Sequence, residues 1–141
     1  MESMNATDVR KDFSAVVDMA VREKPVFIKR TRDNLILSDR RLMLMLLRDY
    51  MLTARRYIED DGSITLSLEE IDLVVNAGTD EAAKDALVSD LREYADDYYE
   101  NYAAWSVAPN RKDHLPYVIK VLATEDKTLI GAMIVCHDGA N

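Results

Sequence analysis

Apolar positions recur at helical spacing near the start of the chain, then alternate, then run together. Each change of period marks a change of element. Val9, Phe13, Val16, Val17, Ala20 and Val21 form one stripe and predict an amphipathic helix over residues 5–24. Thr7 is placed to cap it, with Asp8 favourable in its first turn. Pro25 ends it, because the residue before proline avoids the helical region. PVFIKRT and LILS, separated by RDN, predict a β-hairpin of 26–31 with 35–38 and a turn at Asp33-Asn34. Ser38 or Asp39 then caps a second helix, RRLMLMLLRDYMLTA. Its run 42–47 is apolar on every side, and one unit of about 50 residues can hardly cover it. Leu42, Leu44 and Leu46 are therefore expected in a homodimer interface.

RRYIEDDGSITLSLEEIDLVVNAG predicts three short strands, with a turn at DDGS. Thr79 caps a long helix reaching Trp105, with Ala83, Leu87, Leu91, Tyr94, Tyr98 and Tyr102 on its apolar side and acids on the other. The loop SVAPNRKDH follows, then a helix opened by Pro116, a last helical piece EDKTLIGAMIVC, and a polar tail. The fold class is α+β, with two small domains at 1–53 and 54–141.

Charge divides the same way. Residues 1–56 hold 12 Lys+Arg and 8 Asp+Glu, net +4, and residues 57–141 hold 6 and 18, net −12, which sum to the chain's −8. Such polarity points to two partners of opposite charge. No apolar run approaches the ~20 residues of a membrane span, and the N-terminus lacks the apolar region of a secretory signal. One cysteine, Cys136, allows no intrachain disulfide, and His114 and His137 with it make no metal-ligand spacing. The expectation is a cytoplasmic protein with no metal or cofactor and no membrane partner.

Catalytic motifs are missing: no G-x-S-x-G, phosphate-binding loop or H-E-x-x-H occurs. Asp60-Asp61, Glu69-Glu70 and Asp96-Asp97 read as solvated faces, and His114 beside Asp113 as a loop histidine, unless a buried polar pocket surrounds it. The basic stretch KPVFIKRTR is more specific, with four cations and no carboxylate. Strand alternation puts Val26, Ile28 and Arg30 on one side and Phe27 and Lys29 on the other, with Arg32 at the tip. With Arg10 and Lys11 in the first helix's opening turn, these cations make a surface for phosphates and base edges. Tyr98, Tyr99, Tyr102 and Trp105 lie among acids, which disfavours base stacking and favours core packing with partner contact.

The ordered set NATDVRKDFSAVVD, EKPVFIKR and LILS before a helix resembles the N-terminal domain of Phd/YefM antitoxins. The remainder, from DGSITLSLEEIDLVV through APNRKDHLPYVIKVL, resembles the C-terminal domain of RelB-like antitoxins, and its strand–strand–helix start a HicB-type module. The resemblance implies a homodimeric repressor that binds its own operator and neutralises a RelE-type endoribonuclease by contact rather than catalysis. It also implies DNA contacts at the positions of Arg10 and Arg30. The toxin would meet the acidic half, with anchors among Tyr98, Tyr99, Tyr102 and Trp105. Two departures stand out: Arg32-Asp33-Asn34 replaces the family's hairpin glycine, and the toxin-binding tail reads as a folded domain. The alternative is a stand-alone DNA-binding regulator whose C-terminal domain senses a ligand.

Overall fold

The computed structural model describes residues 1–139; Ala140 and Asn141, the end of the expected tail, lie outside the described residues. The chain forms two compact units, Met1–Leu46 and Leu47–Asn141.

In the first unit, Met4–Asn5 forms a short strand, β1, which the apolar pattern is too brief to reveal. The expected single helix is two, α1 (Ala6–Lys11) and α2 (Phe13–Arg22), broken at Asp12 with φ −137° and ψ 55°. The break re-phases the stripe. Val9, Val16 and Ala20 are buried, while Phe13 turns outward and is 57% exposed. Asn5, not Thr7, caps α1: its side-chain oxygen accepts the Thr7 N–H at 2.7 Å.

The hairpin is present as β2 (Val26–Arg30) and β3 (Asp33–Leu37), with β1 parallel to β2. Its register pairs Val26 with Leu37 and Arg30 with Asp33, so the turn is Thr31-Arg32 and not Asp33-Asn34. A turn at 33–34 would set Val26 and Phe27 opposite residues 41 and 40, which are helical; the observed register pairs both strands along their whole length. Thr31 takes φ 54°, a left-handed angle unusual for a β-branched residue.

Asp39 opens α3 (Arg40–Leu46) by accepting the Arg41 N–H at 2.8 Å. The helix stops well before residue 54. Leu52 and Ala54, expected in that helix, are fully buried in the first strand of the second unit. The division therefore falls at Leu46/Leu47 rather than after residue 53. Counted by unit, the charges are 9 Lys+Arg against 7 Asp+Glu (+2) and 9 against 19 (−10).

The second unit holds a four-stranded sheet of β4 (Leu52–Ile58), β5 (Ile64–Leu68), β6 (Val74–Ala77) and β7 (Ile134–Asp138), in the order β6-β5-β4-β7. Its helices are α4 (Asp80–Glu100), α5 (Tyr102–Trp105), α6 (Leu115–Ala123) and α7 (Lys127–Ala132). The expected last helix thus ends early, and Ile134–Asp138 is a strand parallel to β4. Its partner lies far away in sequence, and nothing local announces the pairing. Inward residues of β4 and β5 (Leu52, Ala54, Ile64, Leu66, Leu68) pack with Leu87, Leu91 and Tyr98 of α4, Val118 and Val121 of α6, and Ile130 of α7. Arg56, at the sheet's end, holds the start of α4 through Asp80 at 2.5 and 3.1 Å. Lys120 is buried; its ammonium donates to the Arg48 and Tyr50 carbonyls at 3.2 and 2.9 Å and ties down the segment before β4.

Gly62, in the β4–β5 turn, has φ +84°. Gly62→Ala should cost about 1–2 kcal/mol, the penalty of a side chain in the left-handed region. Thr31→Gly relieves the same kind of strain and should not destabilise. Urea denaturation of both variants checks the pair; a Thr31→Gly loss as large as that of Gly62→Ala would contradict the strain.

Candidate nucleic-acid and partner interfaces

Pairing of β1 with β2 sets Asn5 beside Lys29, so α1 begins next to the Lys29–Arg30 end of the hairpin. A shallow hollow of about 310 Å³ opens there, lined by Ser3, Asn5, Lys29 and Thr31. Arg10 and Lys11 sit in the last turn of α1, not its opening turn as expected. Among the described residues, Arg10, Lys11, Lys29 and Arg32 have no ion-pair partner, and all are exposed. Arg30 differs: its guanidinium donates to Asp33 at 2.7 Å, across the hairpin's closing pair. An exposed pair of this kind holds weakly, on the order of 0–1 kcal/mol. Asp33 nevertheless competes with any phosphate for Arg30.

The apolar surface of this unit is extensive. Only Val9, Val16, Ala20 and Val26 are buried. On α3, Leu42 and Leu44 are half-buried, Leu46 is 61% exposed and Met45 55% exposed. Phe27 and Ile36 pair on the hairpin side away from Val26 and also lie open. The expectation named the α3 leucines but missed this hairpin pair, whose signal was the strand alternation already used for Lys29.

In the second unit, burial of Ala83, Leu87, Leu91, Ala95 and Tyr98 fixes the rotation of α4. Glu81, Asp90, Glu93, Asp96, Asp97 and Glu100 then face solvent. Of the aromatic residues, Tyr99 is 66% exposed and Tyr102 42% exposed. Tyr98 is a correction. It is fully buried, its hydroxyl donating to the Arg111 carbonyl at 3.0 Å and the Trp105 carbonyl at 3.3 Å, so it is core and no surface anchor. Trp105 is half-buried, with one face stacked on Tyr94 and the Arg111 guanidinium 3.7 Å from its ring centre.

His114 belongs to this cluster, with Nδ1 2.6 Å from the Tyr94 hydroxyl. Burial lowers its pKa, Asp72 and Asp113 oppose that shift, and Arg111 adds to it. The cleft beside it, lined by Asp72, Tyr94, Asn110 and Arg111, encloses about 100 Å³. That is smaller than the ~300 Å³ at which small-molecule sites typically start.

The first unit thus presents exposed cations, four of them without an ion-pair partner among the described residues, and the second an acidic helix face. Residues 1–136 match the PHD-like family, described as antitoxins of RelE/RelB toxin–antitoxin systems. The chain belongs to this family and is an antitoxin of a toxin–antitoxin system. It is also similar to a crystal structure of an antitoxin part of a proposed toxin–antitoxin system from Syntrophomonas wolfei subsp. wolfei. That match has a TM-score of 0.91 and 35% identity, and covers 99% of this chain and 100% of the other. No curated protein matches. Among the described residues, no helix is long and apolar enough to cross a membrane.

Because His114 titrates lower when folded, the unfolded chain binds the proton more readily. Stability should therefore rise with pH up to the ordinary value near 6.5 and be lost as pH falls below it. Urea midpoints at pH 5.5 and 7.5 measure this. His114→Gln, which does not titrate, should flatten the difference; an equal difference in that variant would remove His114 as its source.

Proposed function

We propose that this antitoxin neutralises a RelE-type endoribonuclease through its acidic second unit and represses its own operon through the first. In this reading the first unit is a Phd/YefM-type module and the second a RelB-like one with HicB-like features. The observation that carries it is the solvent side of α4. Glu93, Asp96, Asp97 and Glu100 cluster there beside exposed Tyr99, with Tyr102 just beyond the helix. An RNA-cleaving enzyme needs a basic groove, and a complementary acidic helix speeds encounter while a few aromatic anchors give affinity. Trp105, half-buried against Tyr94 and Arg111, offers a partner less surface than Tyr99 or Tyr102. Membership in the antitoxin family favours this account over a stand-alone regulator.

Operator binding rests on Arg10, Lys11, Lys29, Arg30 and Arg32. The first unit acts as a homodimer, for a physical reason. A 46-residue unit with four buried apolar residues is marginal alone. Pairing Leu42, Leu44 and Leu46, together with Phe27 and Ile36, against a second copy removes that apolar surface from water. A two-fold dimer in turn matches a palindromic site.

Gel-shift titration against the DNA upstream of its gene tests the repressor part. Arg10→Ala and Arg30→Ala should each weaken binding by about 1–3 kcal/mol if the arginine reads a base. Asp33→Asn should tighten it, since Arg30 loses its competing partner. Affinity should fall steeply with salt as counterions are released. Unchanged binding in the Arg10/Arg30 double variant would remove both from the DNA surface.

A further inference from the structure

Past the end of α4 the solvent side of the chain changes character. The helix shows water its acids, but beyond Glu100 the exposed residues are mostly apolar. Tyr102 is 42% exposed, Ala103, Ala104 and Pro109 are open, and Val107 is 72% exposed, with Tyr99 leading into them from the last turn of α4. Among the described residues, no other large apolar side chain of the second unit is as exposed as Val107. Exposed apolar residues that need no explanation stand singly, whereas these six fall within one stretch of the chain, 99–109. The turn that brings the Ala108 N–H to the Trp105 carbonyl at 3.3 Å sets Val107 one turn beyond Ala103 and Ala104.

The segment is held from beneath. The Tyr98 hydroxyl donates to the Trp105 and Arg111 carbonyls, and the Tyr98 ring meets that of Tyr102 edge to face with centres 6.3 Å apart. The Ala108 carbonyl accepts the N–H groups of Arg111 and Lys112 at 3.0 and 2.8 Å, and the Arg111 guanidinium covers the Trp105 ring. An apolar tip on a fixed backbone loses little freedom when a partner covers it, and valine has a single side-chain torsion to fix. Charge sets the margin. Residues 93–113 hold five acids against two cations, net −3. Glu93, Asp96, Asp97 and Glu100 stand exposed on the last two turns of α4, next to the apolar stretch in the chain. An apolar centre with a charged margin is the anatomy of a protein–protein interface. Its complement is an apolar socket bordered by cations.

We propose that the 102–109 segment is a preformed apolar knob, with Val107 at its tip, that enters an apolar socket bordered by cations on the toxin. This rests on the proposed binding of the toxin by the second unit, and it names the contact that keeps the complex together once the acidic helix has steered it into place. Kinetics separate the two roles. Association and dissociation of the full-length antitoxin and the product of the adjacent gene are measured by surface plasmon resonance. Val107→Ser should speed dissociation about tenfold or more and change association by less than about twofold, because truncating an apolar anchor acts on residence time. Val107→Ile, which keeps the apolar tip, should dissociate like the parent chain. Asp96→Asn/Asp97→Asn should instead slow association and weaken its salt dependence. All three variants should melt with the parent, since the altered side chains are exposed. The knob is overturned if Val107→Ser dissociates like the parent chain while the aspartate variant associates slowly, a result that leaves toxin binding by the second unit standing. It is equally overturned if Val107→Ile dissociates as fast as Val107→Ser. If no complex forms, or if no variant alters either rate, toxin binding by the second unit fails and the knob fails with it.

Discussion

The packing of α4 on the sheet is the constraint on which the second unit depends. Ala83, Leu87, Val88, Leu91, Ala95 and Tyr98 are all buried on one side of the helix. Fully burying side chains the size of leucine stabilises by about 1.5–3 kcal/mol each, far more than any single surface charge contributes. Apolar burial therefore sets the rotation of the helix, and the acids are left facing water as a consequence. The same burial takes Tyr98 out of the surface and uses its hydroxyl to hold the backbone of Trp105 and Arg111. Residues 101–114, which carry Tyr102 and the Trp105–Arg111 stack, are held by that phenol together with Tyr94, which meets Trp105 and His114.

The first unit is governed by the opposite condition. Its core is four residues, and much of its apolar surface remains open on α3 and on the outer side of the hairpin. Three of its carboxylates pair with cations of the same unit, Asp18 with Arg22, Asp33 with Arg30 and Asp39 with Arg41, which leaves its charge of +2 unchanged. The basic stretch 24–32 thus stays basic as a surface, apart from Asp33 at the hairpin's closing pair.

Strong local signals made much of this architecture legible. The hairpin, the Asp39 and Thr79 caps, the turn at Gly62, the strands β4 to β6 and the apolar side of α4 all follow from spacing and turn chemistry within a few residues. The misreadings share a cause, which is long-range pairing. β7 is a strand only because β4 lies beside it, and α3 ends early because Leu52 and Ala54 belong to that sheet. The surfaces were less legible than the fold. Composition identified Arg30 and the tyrosines as residue types, but neither the Arg30–Asp33 pair nor the burial of Tyr98 can be read from spacing alone.

In the proposed function, burial of the apolar side of α4 leaves an acidic surface which receives the toxin. Carboxyl footprinting of the full-length antitoxin, alone and in complex with the product of the adjacent gene, tests it most directly. Labelling of Glu93, Asp96, Asp97 and Glu100 should fall on complex formation, while Asp8, Asp12 and Asp18 in the first unit stay as reactive as in the free chain. A stable complex in which the α4 carboxylates remain fully labelled and the first-unit carboxylates are shielded would contradict it.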